Sequence, residues 1–184
     1  MSTNNVPSCP TGCNSNLPEN TYDFCVQHIV TGEVEEVFLA RGDAECFTDW
    51  TLPGEWAARI SEDSLDPNAI RRFRGIGDFP AGANETIDIS LCQKYYTEKT
   101  FTLNFDVEDV SDENYAFMRS LECNQVVKGW FAAGGKLFGG NCGLDVSVGA
   151  NYVIERGCKT LHKIMLVFTW DSQFSPERCT NPIA

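Results

Sequence analysis

The fold is decided by residues 109–170, which read DVSDENYAFMRSLECNQVVKGWFAAGGKLFGGNCGLDVSVGANYVIERGCKTLHKIMLVFTW. The start of this stretch predicts a helix over residues 115–123, capped by the polar residues 111–114, with Phe117, Met118 and Leu121 on one packed face. Glycine pairs at 134–135 and 139–140 then predict a hairpin-type turn and a bend. Apolar and polar residues alternate around these glycines in predicted strands over residues 126–132, 144–154 and 161–170. The pattern therefore predicts a β-rich element that buries one face, with one helix at its start.

The same alternation continues towards the N-terminus. In residues 99–107 the side chains of Phe101, Leu103, Phe105 and Val107 fall on one face, as in a strand buried on one side. Glycine and proline bound most of the other elements. These elements are a hairpin over residues 22–40 with its turn at Thr31-Gly32, a short helix that begins near residue 49, an irregular extended segment over residues 70–79, and a strand over residues 86–92.

These elements predict a mainly β fold, either an antiparallel β-sandwich or a rolled sheet, with one or two short flanking helices. In the first helix, Trp56, Ala57 and Ile60 are expected to share the apolar face. We expect three regions: an N-terminal arm over residues 1–21, a single β-rich domain over residues 22–172 and a C-terminal arm over residues 173–184.

Composition limits the classes of function. Among the 184 residues, 42% are hydrophobic and 11% aromatic, which is enough for one substantial core. The formal net charge of −12 argues against a protein that binds nucleic acid by neutralising phosphates. The acid is concentrated in residues 1–92, which hold 15 acidic and 5 basic residues, against 11 and 9 in residues 93–184. A solvated acidic surface, or a surface that repels nucleic acid, is the expected consequence.

The N-terminus and the cysteines bear on the compartment. The polar start has no charged segment followed by an apolar run, so we expect no signal peptide, and no apolar run is long enough to cross a membrane. Without a signal peptide, the nine cysteines are expected to be reduced and mostly buried. Their odd number also argues against a complete disulfide framework.

Four soft ligands near the N-terminus, Cys9, Cys13, Cys25 and His28, raise the question of a zinc site. Cys25 and His28 lie three residues apart in a predicted strand, so their side chains should point to opposite faces. The alternatives are buried or exposed thiols, or a Cys9–Cys13 bridge. We therefore assign no metal ligand, although the sequence leaves this group open.

No catalytic set emerges from the sequence. A Cys–His enzyme would have only His28 or His162 as its base, and neither has an evident orienting partner. The glycine pairs do not precede a helix, as a phosphate-binding loop requires. The carboxylates of Asp106, Glu108, Asp109, Asp112 and Glu113 surround a helix N-terminus, where they are expected to cap the helix. We expect a protein that is not an enzyme, with no catalytic, cofactor-binding or metal-binding residue.

Three arginines, Arg71, Arg72 and Arg74, form a basic group in an otherwise acidic half of the chain. Such a group suits pairing with the acidic half of a neighbouring subunit. A phosphate contact and a plain solvated loop are the two other interpretations.

Several motifs together carry a resemblance. They are DWTLPGEW at 49–56, DxxDENYxFMRxL at 109–121, WFxxGGKLFGGN at 130–141, FTW at 168–170 and PER at 176–178. In this order they resemble small virion structural proteins of tailed phages that infect Bacteroidetes, the crAss-like group among them. The likeness extends over roughly residues 45–180, and the architecture is similar to the tail-tube fold. The shared residues are structural aromatics and glycines.

The resemblance implies that the chain is a virion subunit. It would be made in the host cytoplasm and would assemble with itself into a ring or tube of the tail or head–tail connector, with sixfold or twelvefold symmetry. Genomic DNA would pass through the channel without specific binding, other virion proteins would be partners, and no membrane would be involved. Two alternatives remain: a capsid decoration or fibre-anchoring protein, and a carbohydrate-binding β-sandwich that uses exposed Trp50, Trp56 or Trp130.

Overall fold

A computed structural model describes residues 32–61, 66–90, 93–123, 126–154 and 162–183. These described residues are mainly β, with two helices. The elements in chain order are β1 (Val34–Arg41), α1 (Pro53–Ser61), β2 (Arg71–Asp78), β3 (Ala83–Ser90), β4 (Gln93–Val107), α2 (Asp112–Cys123), β5 (Val126–Ala133), β6 (Lys136–Phe138), β7 (Leu144–Val153), β8 (Lys163–Ser172) and β9 (Arg178–Thr180).

Six of the strands close into an antiparallel barrel in the order β1-β2-β4-β8-β7-β5. The ring closes where β1 pairs with β5, from Val34 opposite Ala133 to Arg41 opposite Val127. The predicted mainly β class is confirmed, and the rolled sheet is the nearer of the two predicted architectures. A sandwich would leave strand edges open, whereas closure gives each of these six strands a partner on both sides.

The barrel interior is filled by the inward half of each alternating strand. Leu103 and Phe105 of β4 meet Leu166 and Phe168 of β8, and each of these side chains is at most 3% exposed. Their strands are in register, with Leu103 opposite Phe168 and Phe105 opposite Leu166. The alternation predicted for residues 99–107 and 161–170 is confirmed, because both strands turn one face towards a single core.

β2 lies unusually close to its neighbour β4 in the wall of the barrel. A Cβ atom at Gly77 would lie 2.5 Å from the backbone oxygen of Asn104 and 2.8 Å from the Phe105 ring. At Gly75 a Cβ would collide with the backbone oxygen of Asp106. Since no side chain fits between the strands here, the two glycines allow β2 to run closely over Phe105.

Helix α2 closes one end of the barrel. Ser111 caps it, since the Ser111 carbonyl accepts from the Tyr115 amide at 2.9 Å, while Asp109 Oδ1 accepts from the Ser111 amide at 3.1 Å. Met118 and Leu121 are buried in the barrel core, as the sequence predicts. The helix therefore covers an opening that the strands leave at this end.

A second layer covers the outer side of the β1–β5 seam. Trp56 of α1 and Trp130 of β5 are 0% and 1% exposed, and their rings meet edge to face at 5.5 Å. Each indole is also satisfied: Trp56 Nε1 donates to the Trp50 carbonyl at 2.7 Å, and Trp130 Nε1 donates to the Gly140 carbonyl at 2.8 Å. The predicted apolar face of α1 is confirmed for Trp56 and wrong for Ala57, which is exposed.

A disulfide joins Cys46, before α1, to Cys142, after β6. The expectation that the cysteines are reduced and buried is wrong for this pair, because Cys46 is exposed and bonded. The cause is tertiary: the two loops meet over Trp130, where Asn141 accepts from the Phe47 amide at 2.7 Å and from the Trp50 amide at 3.1 Å. Cys179 is a free, half-buried thiol.

The chain termini differ in part from the expected arms. Residues 178–180 form β9, which pairs with β6, so the segment expected to be a C-terminal arm contributes a strand to the sheet. The return strand of the predicted hairpin is β1, and its edges pair with β2 and β5. The first strand of that hairpin and the predicted arm over residues 1–21 lie outside the described residues.

The close approach of β2 to β4 can be tested by Gly75→Ala. The added methyl group has no room beside Asp106 and Phe105, so we expect the free energy of unfolding in urea to fall by about 1–3 kcal/mol. Gly54→Ala is the matched control, because nothing lies within 4 Å of a Cβ there and Gly54 is in α1. This control should be neutral or more stable by up to about 1 kcal/mol. Equal stability of the two variants would contradict the close approach of β2 to β4.

The disulfide can be tested by Cys46→Ser. The bond closes a loop with a sequence separation of 96, so its removal should lower the free energy of unfolding by about 2–4 kcal/mol. Dithiothreitol should destabilise the wild type to the same extent and leave the variant unchanged. If the reductant destabilised the variant equally, the stabilisation would come from another bond.

Candidate assembly surface

Within the described residues, no group of three or more His, Cys, Asp or Glu side chains could hold a metal ion. The candidate zinc ligands Cys9, Cys13, Cys25 and His28 lie outside those residues. His162 is exposed at the start of β8, and its Nδ1 lies 3.0 Å from the Tyr152 hydroxyl. Burial raises the pKa of the free Cys179 thiol, which favours its uncharged form over the nucleophilic thiolate.

Of the five carboxylates around the start of α2, Asp106 and Asp109 have hydrogen-bond partners in the structure. Asp106 Oδ2 pairs with Lys163 Nζ at 2.7 Å across β4 and β8. Asp109 accepts from the Ser111 amide, and Asp112 and Glu113 lie in the first turn of α2. Groups at these places stabilise the helix dipole and the strand pairing. The positions of these carboxylates therefore favour a structural role over acid–base catalysis.

Two of the three clustered arginines are used within the chain. Arg72 and Arg74 of β2 both donate to Oε1 of Glu36 on β1, at 2.5 Å and 3.0 Å. The Glu36 side chain is 13% exposed, so the pair is partly shielded from solvent. Arg72 and Arg74 are therefore paired between adjacent strands, and the contact of this basic group with a neighbouring subunit stays a prediction. β2 spans residues 71–78 and aligns these side chains, although its pairing with β1 is irregular between Val34 and Glu36.

The tryptophans expected at a carbohydrate surface are core residues. Trp50, Trp56 and Trp130 are 7%, 0% and 1% exposed. A sugar ring cannot stack on a face that other side chains already cover. The carbohydrate-binding interpretation that depended on them is therefore wrong for these residues.

Two of the open cavities in the described part of the molecule are large. The larger, of about 760 Å³, is lined in part by Glu33, Ile76, Asp78, Asn104 and Met165. The smaller, of about 460 Å³, lies by the end of β1 and the last turns of α2. Asn104 Nδ2 donates to both oxygens of Asp78 at 3.2 and 3.3 Å, so these two polar groups of the larger cavity are paired with each other.

The feature that stands apart from the barrel is a hairpin of β3 and β4. β4 pairs with β8 only from Lys99, which lies opposite Ser172. The first part of β4, residues 93–98, pairs with β3 alone, and the ladder extends from Ala83 opposite Thr100 to Ser90 opposite Gln93. We call residues 84–90 and 93–98 the ribbon. In the described part of the chain, no other strand pairs with either of its long edges.

The sequence pattern predicts two separate strands here, over residues 86–92 and 99–107, and does not predict the ribbon that joins them. A signal was present in residues 93–98, which read QKYYTE and include the strand-favouring pair Tyr95-Tyr96. The single 15-residue strand β4 spans both the ribbon and the barrel. The missing information was the length of the partner strands, because β8 ends before the ribbon begins.

Neither described helix is long and apolar enough to cross a membrane. A scan against protein-family models finds no match to the chain. Searches of curated proteins and of solved structures likewise find no match. The function must therefore be argued from the geometry of the chain itself.

Proposed function

We propose that the protein is a structural subunit that assembles with copies of itself through the ribbon. The observation that carries this proposal is the two-stranded ladder of residues 84–90 and 93–98, which leaves the barrel and has no strand at its long edges among the described residues. Each free edge is a row of backbone donors and acceptors that another strand can pair with.

The contrast with the barrel supports the proposal. The six barrel strands close on themselves, so they offer little edge for a second chain. A two-stranded hairpin that leaves its sheet is marginally stable in water, and addition of a strand from another chain would stabilise it. A second copy supplies such strands without a different partner.

The symmetry follows from the kind of contact. The ribbon has two unlike edges, β3 and the first part of β4, so pairing of the β3 edge with the β4 edge of the next copy makes a head-to-tail interface, and such interfaces close into rings when the rotation permits. The resemblance to tail-tube-like virion proteins supports a ring or tube in a phage tail or head–tail connector, of sixfold or twelvefold order. The net charge of −12 would let genomic DNA pass through a channel without adhering to it.

The proposal can be tested by shortening the ribbon. Asn84 and Lys99 are opposite each other in the register, so residues 85–98 can be replaced by Asn-Gly, which closes a two-residue hairpin turn. In light scattering and negative-stain images, the wild type should form rings or tubes. The shortened variant should form nothing larger than a dimer, because the strand that joins neighbours is absent.

Ile154→Ser is the matched control. It removes an apolar side chain that is 65% exposed beyond β7, at the opposite end of the β4–β8 ladder from the ribbon. This variant should assemble like the wild type, and both variants should keep the urea midpoint of an intact barrel. A wild type that stays monomeric at high concentration would overturn the proposal, as would rings formed by the shortened variant.

A further inference from the structure

We infer that the outer face of β4, β8 and β7 is a second contact between copies of this chain, packed face to face about a twofold axis. The inference rests on the proposed self-assembly and adds a surface to it. The surface consists of two cross-strand rows, which we call the uncharged face. The rows are Thr102–Thr169–Ser147 and Asn104–Val167–Gly149.

The direction of these residues follows from their neighbours. Leu103, Phe168 and Val148 alternate with them along the three strands and are buried in the barrel core. The six residues of the uncharged face therefore lie on the outside of the wall. The layer that contains Trp56 covers a different part of the barrel, over β1 and β5. The uncharged face thus lies outside that layer.

The charge pattern indicates the partner. None of the six residues carries a formal charge, although the chain has a net charge of −12 and 22% charged residues. The outer side of β1 and β2 differs, since it carries Glu36, Arg72 and Arg74. Two copies of an acidic chain repel each other except where charge is absent, so a self-contact is best formed at such a face.

Charges next to the uncharged face are held by local partners. Asp106 pairs with Lys163 at 2.7 Å in the adjacent row. At the other side, Asp171 accepts from the Thr100 hydroxyl at 2.7 Å. Asp78 accepts from Asn104 at the edge of the second row. A charge-depleted centre with polar residues at its rim is the usual anatomy of a protein interface.

The shape of the uncharged face suits packing against another sheet. Val167 lies between Asn104 and Gly149, and a Cβ at Gly149 would meet only the Val167 oxygen, at 3.9 Å. The space over Gly149 can therefore accept a side chain from the second copy, such as its Val167. Threonine, serine and asparagine around it supply hydrogen-bond donors and acceptors on both copies. In a twofold contact each copy presents the same groups.

The test uses the ribbon-shortened protein, in which only the second contact remains. Sedimentation equilibrium should show a reversible dimer. Val167→Glu in that background should weaken dimerisation at least about tenfold, because a twofold contact brings the two new carboxylates together. Gly149→Glu is a second variant that places the charge in open space and leaves the barrel core unchanged. The matched control is Ile154→Glu, an exposed position outside the face, which should leave the dimer intact.

Two results would overturn the inference: a ribbon-shortened protein that stays monomeric at high concentration, or a folded Gly149→Glu variant that dimerises as before. Neither result touches the proposed assembly through the ribbon, which is judged by whether the full-length wild type forms rings that the shortened variant does not. The two proposals can therefore fail separately.

Discussion

The pairing of β1 with β5 is the interaction on which the rest of the structure depends. These strands are distant in sequence, and their ladder from Val34 to Arg41 turns a sheet into a closed barrel. Closure places the alternating apolar faces around one interior. It also leaves no room for a side chain between β2 and β4 at Gly75 and Gly77. Without this seam the two edges would be open, and the core would be exposed along a full strand length.

The outer layer is built on the same seam. Phe38 of β1 is opposite Trp130 of β5, and both side chains turn outwards into the second cluster with Trp56. The Cys46–Cys142 bond and the hydrogen bonds of Asn141 hold the two loops over these rings. The seam is thus covered on both sides by apolar packing, as a strand pair in the middle of a fold requires.

The parts of the barrel that this arrangement leaves open explain its proposed use. The ribbon extends beyond the end of β8, and the uncharged face lies away from the layer that covers the seam. The ribbon offers backbone hydrogen-bonding groups, and the uncharged face offers a polar surface without formal charge. In a chain with a net charge of −12, a contact through the uncharged face avoids bringing many carboxylates together.

Local chemistry made some elements predictable. The Gly134-Gly135 turn follows from glycine, since both residues adopt positive φ angles of 55° and 72°. The face of α2 that includes Met118 and Leu121 follows from its periodicity. Tertiary contacts decided the remainder. The basic group of β2 faces Glu36 because β1 is its neighbour, which no spacing in the sequence reveals.

The sequence by itself determined the β class, most strand positions and the residues that fill the core, because alternation and turn chemistry act over a few residues. Only the tertiary structure decided that the sheet closes, that Cys46 meets Cys142 and that Trp50, Trp56 and Trp130 are covered. It also decided that β4 extends beyond the end of β8, and this extension forms the ribbon with β3. Each of these depends on which distant strands become neighbours, and that choice is made by the burial of the whole core at once.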